Sequence, residues 1–216
     1  MESIWKYIVV ALEAYLLGSL NFAIIISRLM AKTDVREHGS GNAGFTNFHR
    51  SVGGKKTFLV IAGDCVKCAA AVAAAGLLLG VEGRLIAGVF VMLGHMFPVY
   101  FNFKGGKGVL TTAVLILLMD WRAFIIGIGL FLLTVLITRY LSLGSILGVA
   151  SVPVSFFFLY QGSPDLIKYL AILLFMTAII IFMHRSNIKR LVSGSENKFT
   201  FKKDRENNGG GGDALS

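Results

Sequence analysis

Long apolar runs, cut by short clusters of charge and glycine, govern what this chain can become. Read between charges, they are Ile4–Leu29, Phe58–Gly80, Arg84–Phe103, Val109–Met119, Arg122–Thr138, Leu141–Gln161 and Asp165–Met183. A helix needs about 20 apolar residues to cross the hydrocarbon of a bilayer, and inside lipid its backbone polar groups must be satisfied within the segment. Val109–Met119 is short by that measure and Arg122–Thr138 marginal. The chain is 55% hydrophobic and 15% charged, with a mean hydropathy of +0.72, where a soluble domain carries about 25% charged residues. The expectation is an all-α integral membrane protein of about seven transmembrane helices, a single polytopic domain over residues 1–206. Met1-Glu2-Ser3 carries no basic n-region and the run behind it is too long for a signal segment, so it reads as a retained first span. The glycine-rich stretch 207–216 reads as a flexible tail.

Basic residues then choose sides. With that topology, one face carries sixteen of the 21 Lys and Arg, while Lys6, Arg84, Arg122 and Lys168 fall on the other and Lys67 lies within a span. Cytoplasmic loops hold the excess of Lys and Arg, so the N-terminus is expected outside and the C-terminus in the cytoplasm. Both glycine-rich loops, 39–50 and 104–108, are then cytoplasmic.

Those loops hold the chemistry. The first, Gly39-Ser40-Gly41-Asn42-Ala43-Gly44-Phe45-Thr46-Asn47-Phe48-His49-Arg50, mixes glycines, small polar side chains and an arginine. Glycines let successive backbone N–H groups converge on one point, which makes an anion cradle. The hydroxyls of Ser40 and Thr46, the amides of Asn42 and Asn47, the Gly41 backbone and the Arg50 fork could together hold a phosphate. The second, Lys104-Gly105-Gly106-Lys107-Gly108, opens a helix whose N-terminus is a ready anion site. Arg139 and Ser142, at a turn on the same side, are further candidate substrate contacts. Gly39-x-Gly41-x-x-Gly44 matches a dinucleotide fingerprint, but an apolar helix precedes it where that motif needs a strand. The lysine–glycine loop lacks the upstream glycine of a P-loop.

Other polar groups sit in or beside the runs. Asp64 and Lys67 are three apart on one helix face and can pair, and charges at such depth face a cavity or a partner. Pro98 is expected to bend the third run and free a carbonyl near Gly94 and His95. Cys65 and Cys68 have no second pair to complete a metal site and read as small apolar side chains. At the end of the last run, His184 and Asn187 share a helical face with Lys189 and Arg190 displaced from it, and His184 could accept a proton near neutral pH.

Taken together, the blocks resemble the bacterial acyl-phosphate:glycerol-3-phosphate acyltransferases. The likeness covers roughly Leu12 to Lys198. It rests on Gly-Ser-Gly-Asn-x-Gly-x-Thr-Asn-x-x-Arg at 39–50, Gly-Gly-Lys at 53–55 and Asp-x-x-Lys at 64–67. It continues through Gly-His-x-x-Pro-Val-x-Phe-x-Phe-Lys-Gly-Gly-Lys-Gly-Val at 94–109, Ser-Leu-Gly-Ser at 142–145 and His-Arg-x-Asn-Ile-x-Arg-Leu at 184–191. Departures fall at Ala43, Phe45 and Cys68, where the family commonly has Pro, Ala and Gly. The resemblance implies acyl transfer from acyl phosphate to the 1-hydroxyl of glycerol 3-phosphate in the bacterial cell inner membrane, without coenzyme A, cofactor, metal or nucleic acid. It implies that Ser40 and Arg50 are catalytic, joined by His184 and Asn187. Lys104, Gly105, Gly106, Lys107 and Gly108 would bind glycerol 3-phosphate, and Glu196 would be structural.

Acyl phosphate is an activated mixed anhydride, so positioning two anions and stabilising an oxyanion would suffice. No nucleophile–base–orienter set stands out, and direct attack by the glycerol hydroxyl is expected. The alternative from another class is a transporter of a phosphorylated metabolite, which internal repeats and midplane charges would favour; neither repeats nor a midplane cluster is evident. A metal-dependent phosphotransferase would need clustered carboxylates, which the scattered Asp34, Glu37 and Glu196 do not supply.

Overall fold

The computed structural model describes residues 4–199, and the proposed tail at 207–216 lies outside them. The described chain is helical: α1 (Ile4–Gly18), α2 (Phe22–Ala31), α3 (Phe45–Ser51), α4 (Lys56–Met96), α5 (Val109–Met119), α6 (Trp121–Thr138), α7 (Leu141–Leu159), α8 (Leu166–Met183) and α9 (Arg185–Val192), with two short 3-10 turns. Five stretches are long and apolar enough to cross a membrane: Ile4–Ala31, Lys56–Phe101, Trp121–Thr138, Leu141–Leu159 and Leu166–Met183. Their outward faces carry large apolar side chains such as Phe58, Leu77, Leu136 and Ile167, as a lipid-facing surface requires.

The longest stretch is not one rod. A straight helix rises about 1.5 Å per residue, so residues 28 positions apart would stand about 42 Å apart. Yet Lys67 Nζ lies 3.2 Å from His95 Nδ1, and Asp64 Oδ1 lies 3.6 Å from the same atom. The chain doubles back at Gly80, whose φ of 60° and ψ of −141° belong to a region only glycine occupies without strain. Helix α4 is therefore a hairpin of two arms, 56–79 and 81–96.

The first apolar run, expected as one span, is broken instead. Ser19-Leu20-Asn21 separates α1 from α2, and the Asn21 side chain caps α2 by accepting from the Ile24 N–H at 3.1 Å. The carbonyls this break frees are met by the ammonium of Lys67, which donates to Gly18 O at 3.0 Å and Leu20 O at 2.6 Å. Pro98 likewise ends a helix rather than bending one: α4 stops at Met96. The carbonyls left over are those of His95 and Met96, which accept from the N–H groups of Gly106 and Gly105 at 3.0 and 3.1 Å.

A shared core of Val10, Ala14, Val72, Ala87, Val91, Leu115 and Ile180 ties α1, both arms of α4, α5 and α8 together. Polar groups then segregate to the two ends. At one end, Tyr7 and Lys168 both bond to Glu82 near the Gly80 reversal. There too Tyr160 donates to Asp120 at 3.0 Å, and Arg122 pairs with Asp120 at 2.7 Å. The opposite end gathers both glycine loops, α3 and α9. Helix α5, with 11 residues and so about 16 Å of rise, is too short to reach across a hydrocarbon layer of about 30 Å.

Candidate active site

The first glycine loop is shaped by its own asparagine. Asn47, buried in the first turn of α3, donates from Nδ2 to Val35 O at 2.8 Å and His38 O at 3.0 Å, while its Oδ1 accepts from the Ser40 N–H at 2.9 Å. Its amide is thus committed to folding the loop around Gly39 and Gly41, whose φ values are 59° and 70°. Ser40 emerges exposed, and its hydroxyl has no hydrogen-bond partner among the described residues.

Both loops hang from the same scaffold. Asn21 Nδ2 donates to Ala43 O at 3.0 Å, and the Ala43 N–H donates to Gly105 O at 3.3 Å, a bond no proline at that position could make. Arg36, clamped by Asp34 at 2.8 Å, reaches Phe101 O at 2.7 Å and Lys104 O at 3.1 Å. The hydrogen bond from Arg36 holds the Asp34 carboxyl well below the usual carboxylate range, so this clamp stays charged at neutral pH. Beneath lies the Asp64–Lys67 pair at 2.7 Å, three residues apart as the sequence suggested, with the His95 ring packed against Gly106.

The last helix supplies the third wall. Helix α9 begins afresh at Arg185 after His184 closes α8, so Asn187 and Arg190, three apart, share a face. Arg190, which the sequence reading set aside, therefore turns toward the site. Glu196 gathers this wall: Oε1 accepts from Ser142 Oγ and Asn187 Nδ2, both at 2.8 Å, and Oε2 accepts from Arg190 Nε at 2.7 Å. Asn187 Oδ1 in turn accepts from Lys107 Nζ. Burial pushes the Glu196 carboxyl up, but the bonds from Asn187, Ser142 and Arg190 outweigh it, and it is held below its ordinary value.

These groups meet in one cavity of about 340 Å³. Its polar mouth is lined by Ser40, Asn42, Thr46, Asn47, Arg50, Lys107, Ser142, His184, Asn187, Arg190 and Glu196, and Gly108, Asp64 and His95 also border it. Of the residues expected from sequence, Gly41, Lys104, Gly105, Gly106 and Arg139 do not line it. Lys104 and Arg139 are exposed, while Gly105 and Gly106 support the loop from behind. Beyond the mouth the cavity turns apolar, running between α5, α6 and α7 past Val109, Ala113, Ile128 and Val149.

The electrostatics suit anions. Burial pulls the Lys107 ammonium down to about 8, with Arg190 and Arg50 adding to the fall and Glu196 opposing it. Burial, assisted by the Lys107 charge, lowers His184 to about 4, so its ring is neutral at pH 7. His184 Nδ1 sits 2.8 Å from Ile180 O, which only an N–H can bond. The tautomer is fixed, and Nε2 is left as an acceptor.

Comparison with known proteins agrees with this geometry. A family model described as "Glycerol-3-phosphate acyltransferase" matches residues 8–194. A glycerol-3-phosphate acyltransferase of Clostridioides difficile is 37% identical over 93% of this chain and 99% of its own. One of Pseudomonas putida is 40% identical over 88% of this chain and 97% of its own. Among solved structures, PlsY (YgiH), described as an integral membrane glycerol 3-phosphate acyltransferase in its glycerol 3-phosphate form, superposes with a TM-score of 0.82 at 35% identity. That match covers 90% of this chain and 96% of PlsY. A lysophosphatidic acid form of the same protein matches with a TM-score of 0.79. This all-helical, multi-pass membrane chain belongs to the glycerol-3-phosphate acyltransferase family.

Proposed function

We propose that the protein transfers a fatty acyl group from acyl phosphate to the 1-hydroxyl of glycerol 3-phosphate, giving 1-acylglycerol 3-phosphate and inorganic phosphate. The observation that carries this is a cavity whose mouth presents Arg50, Lys107 and Arg190 and whose interior is apolar. A phosphate at the mouth and an acyl chain inside match the two halves of an acyl phosphate, and the solved relatives described with glycerol 3-phosphate and with lysophosphatidic acid support the acceptor.

In this reading the chemistry is positioning and charge neutralisation. Arg50 and Arg190 hold phosphate oxygens by forked hydrogen bonds, and Lys107 supplies a point charge between the two anions. Ser40 and the amides of its loop donate to the carbonyl oxygen as it becomes an oxyanion. Neutral His184 accepts from a glycerol hydroxyl through Nε2 and fixes the attack direction. The glycerol oxygen bonds to the carbonyl carbon and the bond from that carbon to the phosphate oxygen breaks. The hydroxyl proton leaves on the released phosphate, because a base titrating near 4 is mismatched to net proton removal at pH 7 whereas the second phosphate ionisation lies at about 6. Asn187 orients Lys107, and Glu196 orients Asn187.

The topology taken here has seven crossings, with the N-terminus outside and the mouth facing the cytoplasm. It is supported by the Gly80 reversal, the polar clusters at the two ends and the one-sided Lys and Arg distribution. The test is a donor comparison in a lipid mesophase. Purified protein given glycerol 3-phosphate should make lysophosphatidate from palmitoyl phosphate and none from palmitoyl coenzyme A; the reverse preference would overturn the reading.

A further inference from the structure

The apolar part of the cavity has an end. Its walls are the inward faces of α5, α6 and α7, and the residues farthest from the polar mouth are Ile116, Ala123 and Val152. These three are 1%, 0% and 6% exposed and belong to one buried cluster with Phe156 and Tyr169. Directly behind them the packing is stiff. Phe156 stacks on Tyr160 with ring centres 5.1 Å apart and meets Tyr169 edge-on at 5.9 Å. Tyr160 is itself tethered to Asp120 at 3.0 Å. One side wall is equally unyielding. A methyl group added to Gly148 would lie 2.9 Å from Gly127 O, so α6 and α7 touch backbone to backbone there. A chain entering from the mouth can neither slip between α6 and α7 there nor push through the floor.

The depth can be measured along the helices. From Phe131 to Ala123 on α6 the rise is about 12 Å, and from Ser142 to Val152 on α7 it is about 15 Å. A bilayer has about 30 Å of hydrocarbon, so one leaflet's acyl chain spans about 15 Å. The lane is as deep as one leaflet's hydrocarbon is thick, the depth over which an ordinary membrane acyl chain is accommodated.

We infer that Ile116, Ala123 and Val152 form a measuring floor that sets the longest acyl chain the protein transfers. The inference rests on the acyltransferase reading above and adds the determinant of donor length. Ala123 is the finest adjustment, because its side chain ends at one methyl and anything larger shortens the lane directly.

The test is a chain-length profile, from decanoyl to eicosanoyl phosphate with fixed glycerol 3-phosphate, for wild type, Ala123→Phe, Val152→Ala and Leu136→Phe. Wild type should favour chains of palmitoyl length and fall beyond them. Ala123→Phe should shift the ratio of kcat/KM between palmitoyl and myristoyl phosphate by about tenfold toward the shorter chain, the effect of two methylenes denied burial. Val152→Ala should extend the profile to longer chains, and it decides the matter if Ala123→Phe does not fold. Leu136→Phe, on the outward face of α6, should match wild type. The KM for glycerol 3-phosphate should not move in any of them. Active variants with the wild-type profile would overturn the ruler alone. A wild-type protein that uses no acyl phosphate would overturn the acyltransferase reading and the ruler with it.

Discussion

Replacing Gly106 by alanine tests whether the second glycine loop must sit where it does. A methyl group on Gly106 would fall 2.0 Å from His95 Nε2 and under 3.0 Å from both adjacent ring carbons. Ordinary contact begins near 3.4 Å, so about 1.4 Å must be found. The imidazole has little room to give, because Lys67 at 3.2 Å and Asp64 at 3.6 Å hold its other nitrogen. The loop must move instead, and it carries Lys107, whose ammonium bonds to Asn187 at the mouth. Forced overpacking costs about 1–3 kcal/mol of stability. A misplacement of about 1 Å in a positioned catalytic group costs on the order of 100-fold in rate. Gly106→Ala should therefore fold, melt a few degrees lower, and lose on the order of 100-fold in kcat/KM for lysophosphatidate formation. Gly129→Ala, where the added methyl meets nothing within 4 Å, is the control and should behave as wild type. A folded Gly106→Ala protein within about threefold of wild type would refute the argument that this loop's placement sets the rate.

Other expectations follow from the same geometry. Lys107 loses its proton near pH 8, so kcat/KM should fall about tenfold per pH unit above that point; Lys107→Arg should lower the plateau but carry it to higher pH, and an alkaline limb unmoved by the change would remove Lys107 from the binding step. Glu196→Gln removes a charge that raises Lys107 and weakens the bonds to Arg190, Ser142 and Asn187, so the alkaline fall should begin at lower pH and stability should drop by about 1.5–3 kcal/mol. Lys67→Met leaves Asp64 buried without its cation and the Gly18 and Leu20 carbonyls unmet, a loss of about 3–5 kcal/mol by thermal unfolding. Adding Asp64→Asn should return part of that loss, and no recovery would mean that the carbonyl bonds, rather than the charge pair, carry the effect.

Much of this architecture was legible before the coordinates because lipid imposes simple rules. Apolar runs announce helices, and the second run was bounded at Gly80, the residue at which the structure reverses. The pairing of Asp64 with Lys67 followed from their spacing alone. What escaped was set by long-range contacts. The break at Ser19-Leu20-Asn21 lies inside an unbroken apolar run, and it is stabilised by Lys67, 47 residues away from Leu20. Arg190 was placed off the face that His184 defines; it instead shares a face of α9 with Asn187, three residues before it, and bonds to Glu196. Asn47 looked like a ligand for phosphate and turned out to spend its whole amide on the loop. Composition identifies such side chains as polar and available, but only the fold decides which are already engaged.

Phosphate release in the millisecond range, followed with palmitoyl phosphate before and after glycerol 3-phosphate is added, tests the central claim most directly. Direct attack by the bound acceptor predicts no release and no acylated protein until glycerol 3-phosphate arrives, then lysophosphatidate and phosphate in equal amounts. A stoichiometric burst of phosphate without acceptor, with the acyl group on Ser40, would contradict it.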